Sequence, residues 1–207
     1  KNLILQVKEE KINGINVTVP FKKKVIPYLD KLSAEASKTQ SVNTIYLDNN
    51  KTVGHNTDID GFELSIKDIK FDVSNKIIFI LGAGGVVSSL IFSLYRMGAS
   101  KIIVSNRTRE KAENLKKIFN DLVIIDWGET TNFNMIINAT SIGLNKNDKI
   151  NLNFQDFERN KFFYDVIYNP EETNFLGEGK KLGNKTENGK KMFIYQAAEA
   201  FKIWHGF

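Results

Sequence analysis

The sequence predicts an α/β protein, with a doubly wound parallel sheet in its larger part and a smaller α/β unit ahead of it. Two observations carry this. From about residue 77 onward, short continuous apolar runs alternate with helical patterns, as in a parallel sheet covered on both faces. One run, Ile77-Ile-Phe-Ile-Leu81, passes directly into Gly82-Ala-Gly-Gly85, and a helical pattern extends from Val86 to Met97. Glycines at a strand exit let the backbone turn sharply and approach a ligand. The helix behind them points unsatisfied N–H groups and the positive end of its dipole at an anion.

This is the first βα unit of a Rossmann-type domain, although the glycines alone could equally make an ordinary tight turn. They fit G-x-G-x-x-G/A at Gly82 and Gly84, but the third position holds Val87. The residues beyond the helix decide. Gly98 stands where a helix C-cap belongs, and Lys101-Ile-Ile-Val-Ser105 reads as a second strand. A binder of NAD would place a carboxylate at its tip, about 20 residues past the glycines. Here the tip reads Asn106-Arg-Thr-Arg-Glu-Lys111, with Arg107, Arg109 and Lys111 as cations. A guanidinium in that place can grip a 2′-phosphate through paired, charge-assisted hydrogen bonds, which favours NADP(H) over a merely solvated basic helix start.

The later strands are expected at Leu122–Ile125, Met135–Ile137 and Phe162–Val166, with a helix over Thr108–Phe119. Their carboxyl ends, with those after Leu81 and Ser105, would share the ligand-binding edge. A terminal helix over Gly189–Trp204 carries Met192, Phe193, Gln196, Ala197, Ala200 and Phe201 at helical spacing. In the smaller unit, Leu3–Val7 reads as a helix and Asn16-Val-Thr-Val-Pro20 as a strand ended by proline. Phe21–Leu32 is helical in character with Pro27 inside it, and Ser33 caps a short helix. Val42–Leu47 and Thr52–His55 flank Asp-Asn-Asn-Lys as a hairpin, and Asn56-Thr-Asp58 opens a helix carrying Phe62, Leu64 and Ile66.

With 207 residues, 42% of them hydrophobic and 26% charged, the chain is long enough to bury a sizeable core. The formal charge of +5 is dispersed among interleaved acids, and no aromatics alternate with the basic runs, so nucleic acid is not an expected partner. The absence of cysteine excludes disulfides and thiolate metal sites, and His55 and His205 have no ligand spacing around them, so no metal is expected. No apolar run has the length of a membrane span, and no signal peptide is visible. The expectation is a cytoplasmic protein without membrane partners, monomeric or homodimeric, acting on a small molecule.

Polar residues bunch in the first seventy positions. On a strand, Asn16 and Thr18 would face one side, with Lys22 just beyond its end; Asn43 opens the next strand and Asp58 a helix. Singly, each has a plain structural use as a cap, a turn residue or a solvated lysine. Together, Asn16-Val-Thr-Val-Pro-Phe-Lys22, Val42-Asn-Thr44, Asn56-Thr-Asp58 with Gly61, Gly82-Ala-Gly-Gly85, Asn106-Arg-Thr108, Asn138-Ala-Thr-Ser141 and Gly189…Met192…Gln196…Phe201 stand in the order seen in shikimate dehydrogenases. The resemblance spans nearly the whole chain.

It implies NADPH-dependent reduction of 3-dehydroshikimate to shikimate in aromatic amino acid biosynthesis. Lys22 and Asp58 would be the catalytic pair, with Thr18, Asn43, Tyr168 and Gln196 binding the substrate and Asn16 supporting the strand. The cofactor would meet Gly82, Ala83, Gly84, Gly85 and Val86, then Asn106, Arg107, Thr108 and Lys111 around the 2′-phosphate. Ala139, Thr140, Val166, Gly189 and Met192 would line the nicotinamide; for Met192 core packing is the plain alternative, and for Phe201 it is the preferred one. The chemistry suits those residue types, because hydride delivery to a ketone builds charge on oxygen that an ammonium can stabilise and protonate. The expected layout is a substrate domain over 1–70, an NADP-binding domain over 71–188, and a final helix over 189–207 returning to the substrate domain, with hinges near Ile66–Asn75 and Asn184–Gly189.

Three departures accompany the resemblance. The family's opening strand, whose Ser-x-Ser pair holds the substrate carboxylate, is expected ahead of Lys1, and relatives often add a helix beyond Phe207. Val87 replaces a small residue, with the expectation that it pushes its helix slightly off the strand, and Ser41 replaces the usual alanine before Val-Asn-Thr. The alternative activities are a quinate or dual quinate/shikimate dehydrogenase and a non-catalytic NADPH-binding fragment or paralogue.

Overall fold

The computed structural model describes residues 2–145 and 147–207. The first part of the chain runs α1 (Asn2–Lys8), β1 (Gly14–Asn16), β2 (Lys31–Leu32), α2 (Ala34–Thr39), β3 (Thr44–Asp48), β4 (Lys51–His55) and α3 (Asp58–Asp68). Its four strands form one sheet in the order β1-β3-β4-β2, antiparallel except for the β2–β4 pair. The hairpin turn is tighter than expected. Asn49 and Asn50 alone make it, both at positive φ, as a two-residue turn matched to strand twist requires. Ser33 caps α2 by accepting from the Ala36 N–H at 3.1 Å.

Two expectations here are corrected. The first strand is Gly14–Asn16 and not 16–20: after Val17, whose N–H donates to the Asn43 carbonyl, the chain turns, with the Phe21 N–H on the Thr18 carbonyl. Pro20 has no N–H to offer a ladder. Phe21–Leu32 is not helical beyond a 3-10 turn at Ile26–Tyr28, because Pro27 removes a donor and crowds the preceding turn. Its apolar residues Val25, Ile26, Leu29 and Leu32 instead pack on a small core of Ala36, Val42 and Ile45.

The second part runs β5 (Ile77–Leu81), α4 (Val87–Arg96), β6 (Lys101–Ser105), α5 (Arg109–Lys116), β7 (Val123–Ile125), β8 (Met135–Asn138), β9 (Phe162–Asp165), α6 (Asn174–Lys181), β10 (Lys185–Glu187) and α7 (Lys190–His205). Six strands lie parallel in the order β7-β6-β5-β8-β9-β10, the doubly wound 3-2-1-4-5-6 arrangement of a Rossmann fold. Ile78, Phe79, Ile80 and Leu81 of the central strand are fully buried, each worth roughly 1.5–3 kcal/mol. Val87 is also fully buried in the larger core, so the departure at the glycine motif adds packing volume there. α5 ends at Lys116, short of Phe119, and α6 and β10 are additions to the expected elements. α6 carries Gly179 because the Phe163 ring lies where a Cβ would stand.

α3 ties the two parts together. Phe62 and Ile66 enter the larger core, and the Ser65 hydroxyl meets Tyr164 Oη of β9 at 3.1 Å. α7 packs along α3 at Gly61, where a Cβ would stand 2.8 Å from the Gln196 nitrogen and 2.9 Å from the Met192 carbonyl oxygen. Among the described residues no helix is long and apolar enough to cross a membrane.

Candidate active site

Lys22 lies in the turn beyond β1 and Asp58 is the first residue of α3, 36 positions later. Lys22 Nζ donates to Asp58 Oδ2 at 2.5 Å, and the two side chains are only 12% and 7% exposed. The other carboxylate oxygen accepts from Asn43 Nδ2 at 3.0 Å. Asn43 Oδ1 accepts the Thr57 N–H at 2.8 Å, and the Thr57 hydroxyl donates to the Gln196 carbonyl at 2.9 Å. Asn56 Oδ1 accepts the Asp58 N–H, while its Nδ2 donates to Thr39 Oγ1 (3.0 Å) and Ser89 Oγ (2.9 Å). The segment 56–58 is therefore clamped from three directions. The sequence placed Lys22, Asp58, Asn43 and Gln196 in one site, and the fold brings these four together.

Hydrogen counting shows where a ligand can enter. Asn43 Nδ2 has two hydrogens but three acceptors in reach: Thr57 Oγ1 at 2.9 Å, Asp58 Oδ1 at 3.0 Å and Gln196 Oε1 at 3.3 Å. The most distant, Gln196 Oε1, is the one left for a ligand. Lys22 carries three hydrogens and, among the described residues, one acceptor. Thr18 and Tyr168 stand apart from this cluster. Thr18 is exposed on its turn, and the Tyr168 ring stacks on Phe193 with centroids 4.6 Å apart, both rings half-exposed.

Across from Lys22 lies the glycine loop. A Cβ at Gly85 would be 3.4 Å from Val19 Cγ2 and 3.9 Å from Lys22 Cδ, and the Ser41 hydroxyl donates to the Gly85 carbonyl at 3.3 Å. Between the two parts runs a cleft of about 290 Å³, with Lys22, Lys23 and Ser41 on one wall and Ala83, Gly84, Gly85 and Lys111 on the other. Gly82 has φ +111, and a Cβ there would stand 2.8 Å from the Ala139 carbonyl oxygen and 3.1 Å from Thr140 Cγ2. The loop thus nests against residues 139–140 between β5 and β8, where the strand order reverses and such folds bind their ligands.

At the tip of β6, Asn106 Nδ2 closes the turn on the Thr108 carbonyl at 2.7 Å. Arg109 is engaged by Asp126 and Glu113, so it does not belong with the free cations at this tip. Among the described residues Arg107 and Lys111 form no ion pair, and Arg107 is exposed. Gly189 donates its N–H to the Ile167 carbonyl and sits so close to Val166 that a Cβ would run into its carbonyl. Met192 is buried in the larger core. His55 Nε2 is 4.0 Å from Asp60 Oδ2 and the His205 ring lies 4.3 Å from that of Phe201, tilted by 41°; among the described residues no group of three or more His, Cys, Asp or Glu could hold a metal.

A family model described as the shikimate dehydrogenase substrate binding domain matches residues 1–45, and one described as shikimate / quinate 5-dehydrogenase matches residues 64–149. The chain is 59% identical over 205 residues to the shikimate dehydrogenase (NADP(+)) of Pelagibacter ubique strain HTCC1062, covering 99% of this chain and 77% of that one. The chain belongs to the shikimate dehydrogenase family. Among solved structures, the shikimate dehydrogenase of Aquifex aeolicus superposes with a TM-score of 0.91 at 38% identity, over 100% of this chain and 77% of that one. The shikimate 5-dehydrogenase of Thermus thermophilus, in complex with NADP(H) and shikimate, gives 0.88 at 31% identity, over 99% and 78%.

Two features of this shikimate dehydrogenase site were not singled out from sequence. Asn56 and Thr57 lie inside a quoted motif, with Asn56 read only as a plain helix cap; its Oδ1 accepts the Asp58 N–H, and the Thr57 N–H ties the same segment to Asn43. Asp165, fully buried at the end of β9, falls inside the expected strand Phe162–Val166, where nothing in the sequence marks it as part of the site.

Proposed function

We propose that this chain catalyses the reversible, NADPH-dependent reduction of 3-dehydroshikimate to shikimate. The observation that carries it is the 2.5 Å Lys22–Asp58 pair, nearly buried and facing a glycine loop across a cleft. The residues fit the cofactor. Gly82 leaves no room for a side chain beside Ala139, the loop opens α4, and Arg107 and Lys111 are cations without carboxylate partners among the described residues. When bound, NADPH supplies a hydride to the carbonyl carbon of the substrate.

The charge that would then gather on the carbonyl oxygen is what the Lys22 ammonium would stabilise. Lys22 lines the cleft and uses one of its three hydrogens on Asp58, so another can hold the oxygen by a charge-assisted bond and pass it a proton. Asp58 keeps the ammonium oriented, and in shikimate oxidation the hydroxyl proton returns to the neutral Lys22 amine along the same path. Asn43, Gln196 and Thr18 are the partners for ring hydroxyls, with Tyr168 at the rim, because a polyol left with unmatched buried donors would forfeit ~1–3 kcal/mol at each. Residues 1–70 and 189–207 form the substrate side of this reading and 71–188 the cofactor side.

The test is shikimate oxidation by the purified chain with NADP+, monitored as NADPH absorbance, with NAD+ and quinate as competing arms. Lys22→Ala and Asp58→Asn should each lower kcat roughly 10²–10⁴-fold, the range of a lost acid–base group. Unchanged turnover in Lys22→Ala removes Lys22 from the chemistry, and preference for NAD+ or quinate overturns the assigned cofactor or substrate.

A further inference from the structure

Asp165 ends β9 with no exposed surface, and among the described residues it has no ion-pair partner. Every hydrogen bond it makes is one it accepts. Asn138 Nδ2 donates to Oδ1 and Oδ2 at 3.1 Å each, the Ile167 N–H to Oδ1 at 3.0 Å, and the Thr173 hydroxyl to Oδ2 at 2.6 Å. An ionised carboxylate can only accept, so it obliges Asn138 to turn its NH2 inward. The Asn138 oxygen must then face the other way, where it accepts from the Thr140 N–H (3.1 Å) and the Thr140 hydroxyl (2.7 Å). Asn138 Nδ2 also donates to the Ile142 carbonyl, and Thr140 Oγ1 accepts the Ile142 N–H, both at 3.0 Å. The loop is knotted around one amide whose orientation is dictated from behind.

That loop is the one against which Gly82 nests, with Thr140 Cγ2 3.1 Å from where its Cβ would lie. A second arm runs through Ile167, whose N–H Asp165 holds and whose carbonyl receives the Gly189 N–H at 3.1 Å. We infer that Asp165 is a positioning residue for the nicotinamide end of the cofactor site, setting the Asn138 amide and, through it and Ile167, the places of Thr140, Val166 and Gly189. The inference rests on the proposed function, in which those three residues line the cofactor. Burial pushes the Asp165 carboxyl up to about 6 in spite of its donors, so keeping a charge here works against stability.

The experiment compares wild type, Asp165→Asn and Thr173→Val in three readouts: NADPH affinity by fluorescence titration, shikimate affinity by calorimetry, and amide hydrogen exchange at Thr140 and Ile142 in the free protein. Asp165→Asn is expected to weaken NADPH at least tenfold, change shikimate affinity less than threefold, and speed exchange at both amides. Thr173→Val, which removes a donor on the far side, is expected to lower the melting temperature while leaving NADPH affinity within twofold. If Asp165→Asn does not fold, Asn138→Ala cuts the same link and should give the same cofactor loss and faster exchange. NADPH affinity within twofold of wild type in the folded variant, with unchanged exchange, overturns the inference. So does an equal loss of both ligands that Thr173→Val reproduces. Should wild type itself bind no NADPH, the functional reading falls, while the exchange measurement still decides whether Asp165 holds the loop.

Discussion

Asn43→Ala deletes an amide that serves both Thr57 and Asp58, and its cost can be worked out from the partners left behind. Asn43, Thr57 and Asp58 are 4%, 0% and 5% exposed. The Thr57 N–H loses its 2.8 Å acceptor and Asp58 Oδ1 loses its 3.0 Å donor; the Thr57 hydroxyl keeps the Gln196 carbonyl. An unmatched buried group costs ~1–3 kcal/mol, more when charged, and water entering from the cleft would relieve part of it, so ~2–4 kcal/mol is expected. For a chain of this size that is a drop of roughly 4–16 °C in melting temperature. Thermal unfolding observed by circular dichroism measures it, and steady-state kinetics on the same samples should show a raised KM for shikimate and a lower kcat, since Asp58 loses a brace. A variant that melts within 1 °C of wild type with unchanged kinetic constants would refute the hydrogen-bond reasoning for the whole cluster.

Three further outcomes are expected. Arg107→Ala should raise KM for NADP+ roughly 10–100-fold, the worth of a charge-assisted bond of ~1.5–3 kcal/mol, and erode the preference over NAD+, whereas Arg109→Ala, whose guanidinium is already paired, should change KM far less; the reverse ranking would reassign the phosphate clamp. Gly189→Ala drives a Cβ into the Val166 carbonyl, so ~1–3 kcal/mol of stability and much of the activity should be lost, which denaturant titration and turnover would register together. Asp165, raised from 3.8 to about 6 by burial, binds its proton more readily when folded; its contribution to stability is full below pH 3.8 and is lost as pH rises through about 6. The stability difference between wild type and Asp165→Asn should therefore shift against wild type by about 3 kcal/mol over that window, and a pH-independent difference would contradict it.

Local patterns carried a large share of the architecture. The strands β5, β6, β8 and β9 were readable because a parallel sheet buried on both faces demands unbroken apolar runs, and the glycines, Gly98, Ser33 and the Asn49-Asn50 turn each answer a backbone requirement. What misled was apolar content without regular structure. Phe21–Leu32 has the hydrophobic spacing of a helix, but Pro27 denies it the hydrogen bonds, and the same side chains fill a core from turns. What was silent was structure with a weak local signal: β10 is three residues at a sheet edge, and α6 contains two glycines.

The order of motifs was enough to name Lys22 and Asp58 as partners, but only as an implication of likeness. Periodicity and turn chemistry act between near neighbours, so the chain's own residue order specifies the element types, the strand exits where a ligand binds and the charge at the tip of β6. It took the folded arrangement to bring Lys22 within 2.5 Å of Asp58, to spend Arg109 on Asp126 and to let a buried Asp165 govern a loop 27 positions before it. Those outcomes depend on how closely α3 and α7 approach at Gly61 and on which strands lie side by side, and contacts of that range leave no periodic trace in the chain.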